Sequence, residues 1–520
     1  MESLSETEWD VLIAGTGLEQ SLLALALSRS GKKVLHVDKN DFYGGSTAAF
    51  SLQEAEEWAQ RVNQDEAKSP FKQVAVTKPD AVDGPKLSAS RTYSLSLSPN
   101  LVYTRSAILP TLVSSKVYRQ LEFLAVGSWW VYSPNDSSPE TGTGGGGHLN
   151  KVPSGREDIF GDDSIDFKAK RLLMKFLRFV ADYENQEEVW QEYRSRSFSD
   201  FLEEVFKVPR TLHAPLLALT LSLDTPQNTT TEFALPRVAN HLRSIGVFGP
   251  GFACVIPKWG GLAEISQVAC RAQAVGGGIY VLGQGITTID KPEDETPEIT
   301  AHLKEGDTIK TKWVVGTDED LPSQVEATSD VASYSRSISI VASKLESLFS
   351  PLAEGAPAPA GAVVSFPTGS LTVEGSAEHP PVYVFVHTSD TGECPAGQCV
   401  LYSTTSVSGE LGVALLSAAE HALLHSVNIS GSSSAPHTLW RMHYEQHAAK
   451  TATPASLTTS NARILAFPPQ HMDLKFDGAA ALDLVKDIWQ RMEPDAEKDG
   501  FMMFEDREAV SEEEYLDDEA

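Results

Sequence analysis

The chain has 520 residues, 41% of them hydrophobic and 22% charged, with a formal net charge of −29. This is the composition of an ordinary globular protein, with material for several domains or for one large core plus a satellite, and its acidity argues against nucleic-acid binding through a general basic surface. No apolar run reaches the roughly 18 residues of a membrane span, the acidic start is no secretory signal, and four cysteines point to a reducing, cytoplasmic setting.

In chain order the first element is a β-α-β unit over 9–45. An apolar strand at 11–14 runs into Gly15-Thr16-Gly17. A helix with a wide apolar face (Leu18, Leu22, Leu23, Leu25, Ala26) follows, and a second strand at 33–37 ends in Asp38. A dinucleotide cradle uses its first glycine for a tight turn, its second to let pyrophosphate reach the backbone, and its third to pack helix on strand. Gly15 and Gly17 fill the first two places, and Gln20 stands in the third. Asp38 is where a ribose hydroxyl would be received, and "WVVGTD" (313–318) is similar to the late strand that closes a flavin site. Two readings stay open from these residues: a flavin oxidoreductase, or a scaffold whose nucleotide site has closed.

A charged helix is expected over 53–68 and a strand over 101–105. From 106 to 230 the texture is helical. "AILPTLVSSKVYRQLEFLAVG" has 3–4 spacing, and "SIDFKAKRLLMKFLRFVADYE" (164–184) is an amphipathic helix whose apolar set includes Leu172, Leu173, Phe176, Leu177 and Phe179. The Gly/Ser/Pro run 133–151 inside this block is expected to be a disordered loop. From about 276 the period becomes two, and short strands alternate with turns. Helices over 409–427 and 478–492 flank a strand at 437–445. The tail 505–520 has nine acidic residues and one Arg and is expected to be solvated. One domain, 1–105 with 231–504, is thus split by an inserted helical domain, 106–230. GxSxG, HExxH and P-loop patterns are absent. "CPAGQC", with Cys394 and Cys399, is too little for a four-ligand zinc site, so neither a catalytic nor a metal constellation is expected.

Three stretches resemble one family. "GTGLEQ…GKKVLHVDKNDFYGG" is similar to the opening of the Rab GDP-dissociation inhibitor and escort protein superfamily. "HLRSIGVFGPGFACVIPKWGGLAEISQVACRAQAVGGGIYVL" (241–282) resembles its second long signature, and "KRLLMKFLRFVADYE" (170–184) a helix of its helical domain. The match covers most of residues 9–320. It implies an α/β, FAD/NAD(P)-binding-like (flavoprotein-like) large domain with mixed sheets and an inserted all-helical domain. It also implies a scaffold that has become a protein-binding surface, is no enzyme and carries no flavin. In that case Gly15, Gly17 and Asp38 are a vestigial cradle.

The resemblance further implies binding of GDP-loaded Rab GTPases, shelter for their geranylgeranyl groups and transient contact with membranes. Escort members also present unprenylated Rabs to the α and β subunits of Rab geranylgeranyltransferase. Carried over by position, the Rab platform is Tyr43, Glu264, Arg271, Ile279 and Val281. Glu264 and Arg271 are seven apart on a helix and share a face, and Ile279 and Val281 alternate on a strand. The family often has Thr and Met where Ile279 and Val281 stand, and "GVFGPGFACVIPKWGGLAEI" replaces its more usual "YGxxPxLxPLYGxGELP". The extra length, the 133–151 insert and the acidic tail are similar to escort rather than inhibitor members. On that branch Phe176 or Phe179 is the expected contact with the transferase α subunit. Leu172, Leu173, Leu177, Leu216, Leu217 and Leu219 offer apolar material for a lipid groove.

Overall fold

Two sheets carry the fold in a computed structural model, described for residues 4–503 apart from 65–68, 80–84, 136–146, 162, 164, 291–297, 323–330, 352–354, 374–377, 429–434, 450–457, 462 and 498–499. The first sheet runs Ile279–Leu282, Val34–Asp38, Glu8–Ala14, Thr308–Thr317, Ile299–Leu303, Ile286–Ile289, and Ile464–Phe467 also joins Thr308–Thr317. Its first four strands are parallel. The short apolar runs VLIA and VLHVD are buried on both faces, as parallel strands require. Helix Leu18–Arg29 has Leu22, Leu23, Leu25, Ala26 and Leu27 at 1% exposure or less. It packs between this sheet and the helices Leu262–Val275 and Ala479–Met492. A helix apolar over so much of its surface has to lie inside.

The second sheet has the order Lys475–Phe476, Leu101–Tyr103, Cys254–Pro257, Phe123–Ser133, Gly361–Phe366, Val382–Thr388, Cys399–Thr405, Val331–Val341, Thr438–Ala449, Phe71–Thr77. It corrects the reading of 106–230 as all-helical. In the first part of that range, up to its strand, α-helical spacing holds only over Ile108–Ser114 and ends at Lys116, whose φ is 61°. Beyond it, "FLAVGSWWVYS" is a strand, Phe123–Ser133, with Gly361–Phe366 on one side and Cys254–Pro257 on the other. Its aromatic and β-branched residues suit that place. His148–Lys151 pairs back onto the same strand, so the end of the run expected to be disordered is ordered. The middle of that run, 136–146, and the acidic tail lie outside the described residues.

The helical unit therefore begins after Lys151. It also extends past 230, because helix Thr231–Ser244 packs against Phe167–Val180 and Phe198–Glu204. Side-chain caps set three of its helix starts. Asp166 accepts from the Ala169 N–H at 2.8 Å, Ser197 from Asp200 at 3.1 Å, and Thr230 from Phe233 at 3.3 Å. Its core is built from phenylalanines. The Phe206 ring lies 5.4 Å from those of Phe176 and Phe201 and 5.0 Å from that of Phe179, and Phe198 closes on Phe176 at 6.0 Å.

Candidate functional site

The loop after strand Val34–Asp38 carries Tyr43 and is fixed from below by Asp38. That buried carboxylate accepts from the Thr16 N–H at 2.8 Å and the Thr16 hydroxyl at 2.6 Å. It also accepts from the Asn40 N–H at 2.7 Å and side-chain amide at 3.0 Å. The Gly44 N–H in turn donates to Thr16 Oγ1 at 3.1 Å. Burial, and then the charge of Asp320, push the Asp38 carboxyl up to about 6. Asp38 thus holds the loop of Tyr43, and its oxygens are already engaged where a ribose would need them.

The glycine turn is filled from within. A Cβ on Gly15 would lie 2.2 Å from Asp320 Oδ2, and one on Gly17 would lie 2.6 Å from Gln20 Oε1. Asp320 is held there by the Thr317 hydroxyl at 2.7 Å, the Gln20 amide at 3.3 Å and Lys39 at 3.3 Å. A pyrophosphate on this turn would meet a carboxylate and the buried Gln20 side chain. The flavin cofactor of this fold therefore does not fit the cradle. Among the described residues no group of three or more His, Cys, Asp and Glu could hold a metal ion.

Helix Leu262–Val275 starts at Gly261, with φ 67°. Its outward face shows Glu264, Gln267 and Arg271. The Arg271 guanidinium is 3.7 Å from the Glu264 carboxylate and donates to Gln267 Oε1 at 3.4 Å. Arg271 is 57% exposed, whereas Glu264 is 13% exposed. Burial raises the Glu264 carboxyl, and Arg271 pulls it back. Burial raises the Tyr43 phenol, and the charge of Arg271 opposes that shift. Tyr43, Glu264 and Arg271 thus stand as a half-buried phenol, a largely buried acid and an exposed base.

Ile279 and Val281 are set differently. Their strand is the edge of the first sheet, in register with Val34–Asp38. Val281 packs on the cluster containing Leu35 and Val37, and Ile279 is 37% exposed. The residue between them, Tyr280, turns to the helix side instead. Its hydroxyl donates to His36 Nδ1 at 2.7 Å, and its ring is 6.2 Å from that of Tyr43. His36 Nε2–H donates to the Gly15 carbonyl at 2.5 Å. Alternation does point Ile279 and Val281 the same way, but away from the other three. Tyr280 and Gln267 are the neighbours that the sequence reading passed over. The spacing of Gln267, three after Glu264 and four before Arg271, was the available signal.

Phe176 and Phe179 are buried, at 0% and 5% exposure, so neither projects toward a partner. Both residues expected at the transferase contact thus have their rings in the core of the helical unit. The opposite face of helix Phe167–Val180 presents Lys168, Arg171, Lys175 and Arg178, all exposed, and Phe167 at its start is 83% exposed. Leu173, Leu216 and Leu219 are buried, and Leu172, Leu177 and Leu217 are half-buried. Among the described residues no helix is long and apolar enough to cross a membrane.

A family model described as GDP dissociation inhibitor matches residues 5–348. The Rab proteins geranylgeranyltransferase component A of Saccharomyces cerevisiae is 32% identical over 421 residues, covering 80% of this chain and 65% of that protein. Its namesake in Candida albicans is 29% identical over 404 residues, covering 76% and 59%. The chain spans 65% and 59% of the length of these two relatives. Among solved structures, a Rab GDI from Plasmodium falciparum superposes with a TM-score of 0.62 at 17% identity, over 93% of this chain and 98% of that one. An oxidoreductase from Methanosarcina mazei gives 0.57 at 12% identity, over 92% and 100%. At such identities the likeness is one of fold, and the fold is the FAD/NAD(P)-binding-like one.

Proposed function

The chain belongs to the GDP dissociation inhibitor family, and from that premise we propose that it is a Rab escort protein. It holds a GDP-loaded, unprenylated Rab GTPase, presents it to the α and β subunits of Rab geranylgeranyltransferase, and carries the prenylated product to membranes. It supplies surfaces and no catalytic group. The observation that carries this reading is the partly exposed cluster of Tyr43, Glu264 and Arg271 built beside a cradle closed to dinucleotide. An exposed base over a shielded acid, with a half-buried phenol near by, suits a protein interface, where Arg and Tyr are enriched as anchors. Ile279 and Val281 extend the platform around the sheet edge. The names of the two fungal relatives favour the escort branch over the inhibitor branch.

The transferase docks on the cationic face of helix Phe167–Val180. That helix carries Lys168, Lys170, Arg171, Lys175 and Arg178 and no acidic residue, in a chain whose acids outnumber its bases, 71 to 42. Such a local reversal of sign steers and orients an acidic partner. Half-buried Leu172, Leu177 and Leu217 are placed to line the groove for the geranylgeranyl chain, whose burial is worth ~0.8 kcal/mol per CH₂.

A reconstituted assay with purified transferase heterodimer, unprenylated GDP-loaded Rab and labelled geranylgeranyl diphosphate tests this. The wild-type protein should support transfer. R271E should lower Rab affinity by tenfold or more. A K168E/R171E/K175E/R178E variant should keep Rab binding and lose transfer. A wild-type protein that supports no transfer, yet extracts prenylated Rab from membranes, is an inhibitor, and the escort reading fails.

A further inference from the structure

Trp259 is the one aromatic among the described non-glycine residues with a positive φ, at 73°. Side chains of that size are rare in this region, which suits glycine, and the next two residues, Gly260 and Gly261, have φ of 126° and 67°. The indole is not there to fill the core, since it is 52% exposed. Remote segments of chain hold it in place. The Trp259 N–H donates to the Thr391 carbonyl at 2.9 Å, and the Trp259 carbonyl accepts from the Ser94 hydroxyl at 2.7 Å. The ring lies against Gly392, where a Cβ would come within 2.2 Å of it. The Lys258 ammonium sits 4.8 Å from the ring and is itself fixed by both Glu122 oxygens at 3.0 Å. Backbone strain kept by its surroundings at an exposed aromatic is the pattern of a functional position.

The neighbourhood says what the ring is for. A Cβ on Gly260 would meet Ala49 Cβ at 2.5 Å, so the turn after Trp259 packs on the strand Ala49–Phe50, which follows the loop of Tyr43. Gly261 starts the helix whose first turn bears Glu264. Chain adjacency thus puts Trp259 just ahead of the helix that carries Glu264 and Arg271, as an exposed apolar ring beside the Lys258–Glu122 pair. Interfaces concentrate their binding energy in such rigid aromatic anchors within a polar rim. We infer that Trp259 is a further anchor of the GTPase-binding face, receiving an apolar side chain of the GDP-loaded Rab that lies across Tyr43 and Arg271. The inference rests on the platform reading proposed above.

The test measures affinity for an unprenylated, GDP-loaded yeast Rab by calorimetry, and melting temperature, for wild type, W259G, W259F and R271E. W259G should bind tenfold or more weakly with no fall in melting temperature, because glycine relieves the backbone. W259F should recover part of the loss. If R271E weakens binding and W259G does not, the inference is overturned and the platform stands. If W259G weakens binding and R271E does not, Trp259 stands and the platform around Arg271 fails. A fall in melting temperature that accompanies the loss in W259G makes Trp259 structural and overturns the inference. So does a W259G effect confined to self-association in sedimentation. A wild-type protein without Rab affinity overturns both readings.

Discussion

Replacing Phe176 with alanine should empty the core of the helical unit without touching a partner surface. The ring is 0% exposed, stands edge-on to Phe206 at 5.4 Å and lies 6.0 Å from Phe198. Truncating a buried phenylalanine removes its transfer free energy and leaves a cavity, together about 3–5 kcal/mol. The folded-to-unfolded ratio then falls by roughly two to three and a half orders of magnitude, out of a total stability on the order of 5–15 kcal/mol. Phe167→Ala on the same helix removes a ring that is 83% exposed and should stay within about 0.5 kcal/mol of wild type. The assay is urea titration together with amide exchange over 167–180, read by mass spectrometry. F176A should shift the transition and lose protection across the helix, and F167A should do neither. If F176A melts and exchanges like wild type yet fails to bind the transferase, the ring is a docking contact and the burial argument is wrong.

Two further outcomes follow from the first sheet. Burial holds the His36 pKa down to about 4, from an ordinary 6.5, so the folded protein refuses a proton that the unfolded chain accepts. The stability due to this depressed pKa is complete above pH 6.5 and is lost as the pH falls toward 4. The advantage of wild type over H36N in unfolding free energy should therefore shrink by roughly 2–3 kcal/mol between pH 7 and pH 4.5. Asp38, with its raised carboxyl, titrates in the opposite sense in both proteins and cancels in the difference, and an advantage that does not change with pH would count against the burial of His36. At the glycine turn, equilibrium dialysis with FAD should give no saturable binding for wild type and measurable binding for Q20G/D320A. Stoichiometric flavin released from denatured wild type would disprove the closed cradle.

What could be read from the chain was mostly what local pattern encodes. The β-α-β start was legible because each of its elements carries its own periodicity and the glycines mark the turn. The strand Phe123–Ser133 was not, because apolar residues at helical spacing precede it without a break. Its partners at Cys254–Pro257 and Gly361–Phe366 are also too distant in sequence to leave a trace beside it. Within helix Phe167–Val180 the division of faces was legible after all. Ala169, Leu173, Phe176 and Val180 follow one stripe, and Lys168, Arg171, Lys175 and Arg178 the other. The closure of the cradle was legible only in half. Gln20 announces itself, but Asp320 arrives from the turn after strand Thr308–Thr317, which only the tertiary fold brings to Gly15.

The first β-α-β unit has a consequence for how the molecule is made. Its strand Glu8–Ala14 sits inside the sheet, between Val34–Asp38 and Thr308–Thr317, and Asp10 bonds to Lys312 across 302 residues of chain. Ribosomes add about 5–20 residues per second, so the second neighbour of that strand leaves the tunnel on the order of 15–60 s after the strand itself. Through that interval one hydrogen-bonding edge of an apolar strand is open while the whole helical unit and the earlier strands of the second sheet, Phe71–Thr77 to Cys254–Pro257, emerge. An open apolar edge is a template for wrong pairing. A nascent chain stalled before residue 300 should accordingly recruit chaperones through its first 40 residues, and one stalled beyond residue 320 should release them.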